Sequence, residues 1–137
     1  MKANELRIGN FVFDDENKPM KVARVETQEC TDFNGNDEFN VIIEHIDKNI
    51  GYYESKINPI PLTEEWLKKF WLLNNAPVSS REYTLFFKGS NILMVNHYEN
   101  GWLIKCDWWS VGILIKYVHQ FQNLYYAITQ EELIYTP

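Results

Sequence analysis

His97, Glu99 and Cys106 are the closest approach to a catalytic set in this chain of 137 residues. A thiol beside an imidazole, with a carboxylate to orient the ring, is the arrangement that activates a cysteine nucleophile. Asn100-Gly101 lies between the apolar runs Ile92 to Glu99 and Trp102 to Trp108 and signals a two-residue type I′ hairpin. In that register Glu99 faces Trp102, His97 faces Ile104, Val95 faces Cys106 and Leu93 faces Trp108. His97 and Cys106 then become diagonal neighbours on one sheet face, with Glu99 two residues along the strand. Diagonal neighbours stand too far apart for a direct hydrogen bond, and Val95, Ile104 and Trp108 share that face. A buried thiol and a satisfied histidine are the favoured reading, and a ligand or catalytic face at His97, Glu99 and Cys106 is the alternative.

Other chemistry is excluded by spacing. Asp32 to Glu38 places oxygen side chains at alternate positions, but counting from Asp32 glycine falls fourth instead of sixth and Ile43 takes the twelfth place of a calcium loop. His45, His97 and His119 have no i, i+4 partner and no CxxC companion, so no metal ligand set is expected. No nucleophile elbow and no glycine-rich phosphate loop occurs, and no cofactor is implied. Asp14-Asp15, Glu64-Glu65 and Glu131-Glu132 are adjacent residues that point apart, which makes them solvated charge instead of acid/base dyads. The expectation is a protein that is not an enzyme.

Aromatic residues exceed the ordinary, with 8 Phe, 8 Tyr and 5 Trp making up 15% of the chain. Neighbours on a strand face opposite sides, so Trp108-Trp109, Tyr52-Tyr53 and Tyr125-Tyr126 can each turn one ring outward. Exposed Trp and Tyr anchor protein interfaces, and Trp109, Trp108, Tyr126 and Tyr53 are the candidate binding residues.

These side chains need a folded scaffold, and the composition supplies one. Apolar residues make up 45% of the chain, and the length suits one domain with its own core. The 13 Lys and Arg against 19 Asp and Glu give a net charge of −6, which disfavours nucleic acid unless Lys68, Lys69 and Lys88 form a local basic face. No apolar segment suits a signal peptide or a membrane span, and Cys30 and Cys106 read as free thiols, so a cytoplasmic location is expected.

Strands are expected at Arg7 to Asp14, at Met20 to Thr27 with a bulge between Val22 and Ala23, and at Phe39 to Ile46 after a turn at Asn34-Gly35. Asn58-Pro59-Ile60-Pro61-Leu62 must be extended, and Thr63 then caps a helix to Trp71 with Leu62 and Leu67 as a hydrophobic staple. Strands follow at Glu82 to Lys88, along the hairpin already described, and at Ile113 to Tyr117. A helix over Val118 to Thr129 sets Val118, Phe121, Leu124, Tyr125 and Ile128 inward and leaves Gln120, Gln122 and Asn123 polar. Leu133 to Tyr135 reads as a last edge strand. The predicted class is α+β, one domain over 1–137, with an antiparallel β lobe over about 1–60 curled as a small SH3-like barrel. The helix 63–71 follows, and then the meander and helix of 82–137.

Lys2-Ala3-Asn4-Glu5-Leu6-Arg7-Ile8-Gly9-Asn10, then Pro59 to Leu67 with Lys69-Phe70, then Tyr117-Val118-His119 with Leu124-Tyr125 and Glu131-Glu132-Leu133 occur in this order along the chain. Together they resemble a group of short uncharacterised proteins of Bacteroides-type bacteria, their prophages and mobile elements. The resemblance implies an accessory role without a reaction or a ligand. Where that group tends to carry glycine after its middle and last helices, this chain has Trp71 and Gln130, both at expected helix C-caps. The functional expectation is a small interaction module that binds another protein or itself through aromatic surface. A nucleic-acid-associated protein and a small-ligand binder at His97 are the alternatives.

Overall fold

The structure is a computed structural model that describes residues 1–31, 37–45, 48–70, 82–86, 92–98, 101–106 and 112–136. It is an α+β chain that divides into two compact units and has, among the described residues, two antiparallel four-stranded meanders and two α-helices. The first unit comprises Met1–Ile60 and Val118–Glu132, and the second Pro61–Tyr117 and Leu133–Pro137.

In the first unit a 3-10 turn, Ala3–Glu5, precedes strands β1 (Phe11–Phe13), β2 (Pro19–Thr31), β3 (Asp37–His45) and β4 (Lys48–Tyr53), which pair in sequence order. The register between β2 and β3 shifts between Val22 and Arg24, where the apolar phase of the sequence slips, so the expected bulge is present. Asp14 closes the β1–β2 turn, its Oδ1 accepting the Glu16 and Lys18 amides at 2.9 and 2.8 Å. Ala3, Leu6, Val12, Val22 and Ile57 form the buried cluster, with Met1, Met20, Val25 and Tyr52 packed around it. Among the described residues no pairing of β1 with β4 closes a barrel, and the sheet is an open meander instead of the expected SH3-like barrel. Strand β4 is an element that the sequence pattern did not predict. The unit is completed by helix α2 (Val118–Thr129), whose bounds match the expectation and whose Val118 amide donates to the Ile60 carbonyl at 2.9 Å.

The second unit begins with the extended segment 61–63 and helix α1 (Glu64–Lys69). The Thr63 side chain accepts from the Trp66 amide at 3.4 Å, Glu64 and Glu65 occupy the first turn, and the staple residues Leu62 and Leu67 are both buried. Strands β5 (Glu82–Phe86), β6 (Ile92–Tyr98), β7 (Gly101–Cys106) and β8 (Ile113–Ile115) follow as the second meander. Trp102 and Ile104 of β7 and Ile115 of β8 are buried on one face, and the Trp102 indole N–H donates to the Leu62 carbonyl at 2.7 Å. Leu133 to Tyr135 is not a strand. Tyr135 instead stacks its ring at 5.7 Å from Trp66 and 6.4 Å from Phe70, and the Thr136 amide donates to the Lys69 carbonyl at 2.9 Å.

The β6–β7 hairpin differs from its expected register by two residues, with Tyr98 opposite Gly101 and His97 opposite Trp102. Gly101 opens strand β7 at φ 144°, and a Cβ there would stand 2.7 Å from the Ile115 carbonyl oxygen. The glycine that signals a turn in the sequence therefore serves a close backbone approach by β8, and Glu99 and Asn100 lie outside the described residues. Gln130, just past α2, has φ 60° and donates its amide to the Tyr126 carbonyl at 2.8 Å, which makes it a left-handed C-cap built without glycine.

Two substitutions should therefore move stability in opposite directions in urea unfolding. Gly101→Ala should cost about 2 kcal/mol through backbone strain and the clash with Ile115. Gln130→Gly should raise stability by up to about 1 kcal/mol by relieving the left-handed side-chain penalty.

Candidate functional site

The densest polar arrangement among the described side chains lies in the first unit, where the N-terminal segment meets α2. Gln122 is only 2% exposed, and its carboxamide satisfies two backbone groups at once. Its Oε1 accepts the Phe11 amide at 2.8 Å, and its Nε2 donates to the Gly9 carbonyl at 3.0 Å. Beside it runs a relay of amides. The Arg7 backbone N–H donates to Asn10 Oδ1 at 2.7 Å, Asn10 Nδ2 donates to Asn123 Oδ1 at 3.0 Å, and Asn123 Nδ2 donates to the Glu5 carbonyl at 2.9 Å. The Arg7 guanidinium lies 3.6 Å from the centre of the Tyr126 ring and pairs with Glu132 at 2.6 Å. His119 completes the surface of α2 on this side. Its imidazole is 0% exposed, with Nε2 3.8 Å from the Glu5 carboxylate. Burial, opposed by Glu5, holds its pKa below the ordinary histidine value, so the ring is neutral at pH 7.

This arrangement clamps backbone to helix. The carboxamides of Asn10, Gln122 and Asn123 are spent on one another and on main-chain groups. The sequence pattern leaves Gln122 and Asn123 as polar members of the helix, yet Gln122 is four residues from Val118 and three from His119, which puts it on the buried stripe by spacing alone. Helical spacing was the signal available, and residue type concealed it.

Tyr126 is half-buried beneath Arg7, so one of the four candidate binding aromatics is already engaged. Tyr53 pairs with Asn40 at the end of β4, with its side chain outside the described set, and Trp108 and Trp109 lie outside the described residues. The hairpin register puts Cys106 opposite Leu93 and His97 opposite Trp102, so the two positions are four residues apart along the ladder, about 13 Å, instead of diagonal neighbours. Glu99 is outside the described residues. Asp32 to Asn36 also lies outside them, and among the described residues no group of three or more His, Cys, Asp or Glu could hold a metal ion. Of the candidate basic face, Lys68 pairs with Glu64 at 2.8 Å and Lys69 lies 5.1 Å from the Trp66 ring centre, while Lys88 is outside the described residues.

The second unit carries a different feature. Strand β8 is the last strand of its sheet, and Ile113 and Leu114 are 50% and 45% exposed. Their side chains point to opposite faces of the sheet, so both flanks of this edge are apolar. Among the described residues no helix is long and apolar enough to cross a membrane. Comparison with protein-family models, with curated proteins and with solved structures finds no match to this chain.

Truncation of the clamp should be expensive only at its buried member. Gln122→Ala strands a buried amide and a carbonyl and should cost about 2 to 4 kcal/mol in urea unfolding. Arg7→Ala removes a partly exposed ion pair and a ring contact and should cost about 1 kcal/mol.

Proposed function

We propose that the protein is an interaction module that binds another protein by accepting an extended apolar segment of it along the edge of strand β8. The observation that carries this reading is the pair Ile113 and Leu114, which leave the edge strand with large apolar side chains exposed on both faces. An edge strand presents backbone donors and acceptors, and natural sheets blunt such edges with short length, charge, proline or a bulge. Strand β8 is short, at three residues, and the Lys116 carbonyl after it already accepts the Leu62 amide, so the open stretch is Ile113 to Ile115. Ile113-Leu114-Ile115 has neither charge nor proline, and Lys116 follows only where the strand ends. Added-strand recognition draws affinity from main-chain hydrogen bonds and specificity from alternate side chains, which is what this edge offers. Trp108 and Trp109 precede Ile113 by five and four positions in sequence and are the aromatic binding residues that the sequence suggests.

Charge selects the occupant. The first unit has 7 Lys and Arg against 14 Asp and Glu, a net of −7, and the second has 6 against 5, a net of +1. A second copy would bring another −6 to the complex, whereas a neutral or basic partner meets no such repulsion. A cytoplasmic setting and an accessory role in a prophage or mobile element belong to the same reading, on the resemblance of the three sequence stretches described above.

The test is affinity purification of the tagged protein with nuclease present, followed by titration of the purified partner. Leu114→Lys and Trp109→Ala should each weaken binding at least about tenfold with an unchanged melting temperature. Recovery of nucleic acid alone, a concentration-dependent homodimer as the sole complex, or full affinity in both variants would overturn the reading.

A further inference from the structure

We propose that the buried His119 makes an acid-sensitive latch of the contact between the N-terminal segment, residues 1–10, and helix α2, so that protonation of its imidazole opens the contact against the opposing pull of Glu5. The geometry supplies the pieces. His119 is wholly buried in the face of α2 that also carries Gln122 and Asn123, and these two side chains hold the backbone of Glu5, Gly9 and Phe11. The segment that it supports is a chain terminus with a single 3-10 turn, whose Leu6 amide bonds only three residues back, to Ala3 at 3.0 Å, and it joins the sheet only where Gly9 and Asn10 exchange backbone bonds with Val22. Ala3 and Leu6 belong to the buried cluster, so opening also exposes apolar surface.

The charged groups that face the imidazole are the Glu5 carboxylate, with Oε2 at 3.8 Å, and the Met1 amino group, which act with opposite sign. Glu5 is half-exposed, so water weakens its attraction for an imidazolium. Desolvation is the larger effect and depresses the pKa of the closed state. An opened latch returns the ring to water and to an ordinary pKa of about 6.5. The open form therefore binds more protons than the closed form as pH falls below about 6.5, and the opening equilibrium grows by up to about tenfold per pH unit until the closed form also titrates. Above about 6.5 the ring is neutral in both forms and the opening equilibrium no longer depends on it.

Amide hydrogen exchange of the full chain between pH 7.5 and 5.5 tests this. The Phe11 amide, bonded to Gln122, and the Leu6 amide report the latch, and the Leu62 amide, bonded to the Lys116 carbonyl at 2.8 Å, is the reference. Protection factors at Phe11 and Leu6 should fall by up to about tenfold per pH unit below 6.5, with Leu62 constant. Glu5→Gln removes the compensating carboxylate and should extend the fall to lower pH, and His119→Gln should abolish it. Constant protection at Phe11, an equal loss at Leu62, or an unchanged profile in Glu5→Gln would overturn the proposal. If His119→Gln fails to fold, the wild-type and Glu5→Gln profiles decide alone.

Discussion

Main-chain groups withdrawn from water must find hydrogen-bond partners, and in the first unit two part-buried ones, the Phe11 amide and the Gly9 carbonyl, find theirs on one buried side chain. Gln122 comes from the far end of the sequence, 111 residues beyond Phe11. A leucine in its place would fill the volume equally well and leave both groups unpaired. The position of α2 on the N-terminal segment is thus set by a directional bond pair, and the adjoining asparagine relay extends the same constraint to Glu5, Arg7 and Asn10. Apolar packing of Val118 and Phe121 supplies attraction, and the amides supply register.

The elements that were legible in the sequence are those whose signals are local. Thr63 with two following glutamates marks the start of α1, the phase slip at Val22 marks a bulge, and helical spacing bounds α2 at Val118 and Thr129. What was not legible depends on distant partners. Strand β4, with a lysine, an asparagine and a glycine among its six residues, is specified by pairing with β3 more than by its own composition. Asn100-Gly101 has the sequence of a type I′ turn, yet the glycine is demanded by the Ile115 carbonyl and the hairpin pairs two residues away from expectation. Leu133 to Tyr135 has a strand-like composition, but Tyr135 packs against Trp66 and Phe70. Of the candidate surface residues, Tyr126 sits under Arg7 because a guanidinium placed 119 positions earlier in sequence reaches its ring.

Polar and apolar surfaces play separate parts in the two units. The first spends its amides and ionic groups on holding one terminus to one helix and carries most of the negative charge. The second, close to neutral, has an apolar edge at β8 whose neighbouring lysine lies outside the strand. Lys69, which composition alone would assign to a basic face, is turned toward the rings of Trp66 and Tyr135, where a cation is held by the π faces.

The discontinuity of the first unit has a consequence for biosynthesis. Its four strands are translated by residue 53, but the helix that clamps them begins at residue 118 and the partner of Arg7 is residue 132. At ordinary elongation rates roughly 3 to 12 s separate the emergence of Ile60 from that of Val118, and in that interval the Phe11 amide and the Gly9 carbonyl await their partner. Helix α1 and the meander of the second unit, within residues 61–117, emerge during the wait, while Tyr135, which packs on Trp66 and Phe70, follows only after Glu132. Translation order thus leaves both units to be completed by the last residues made, and the N-terminus, which is made first, waits longest for the side chain that clasps it.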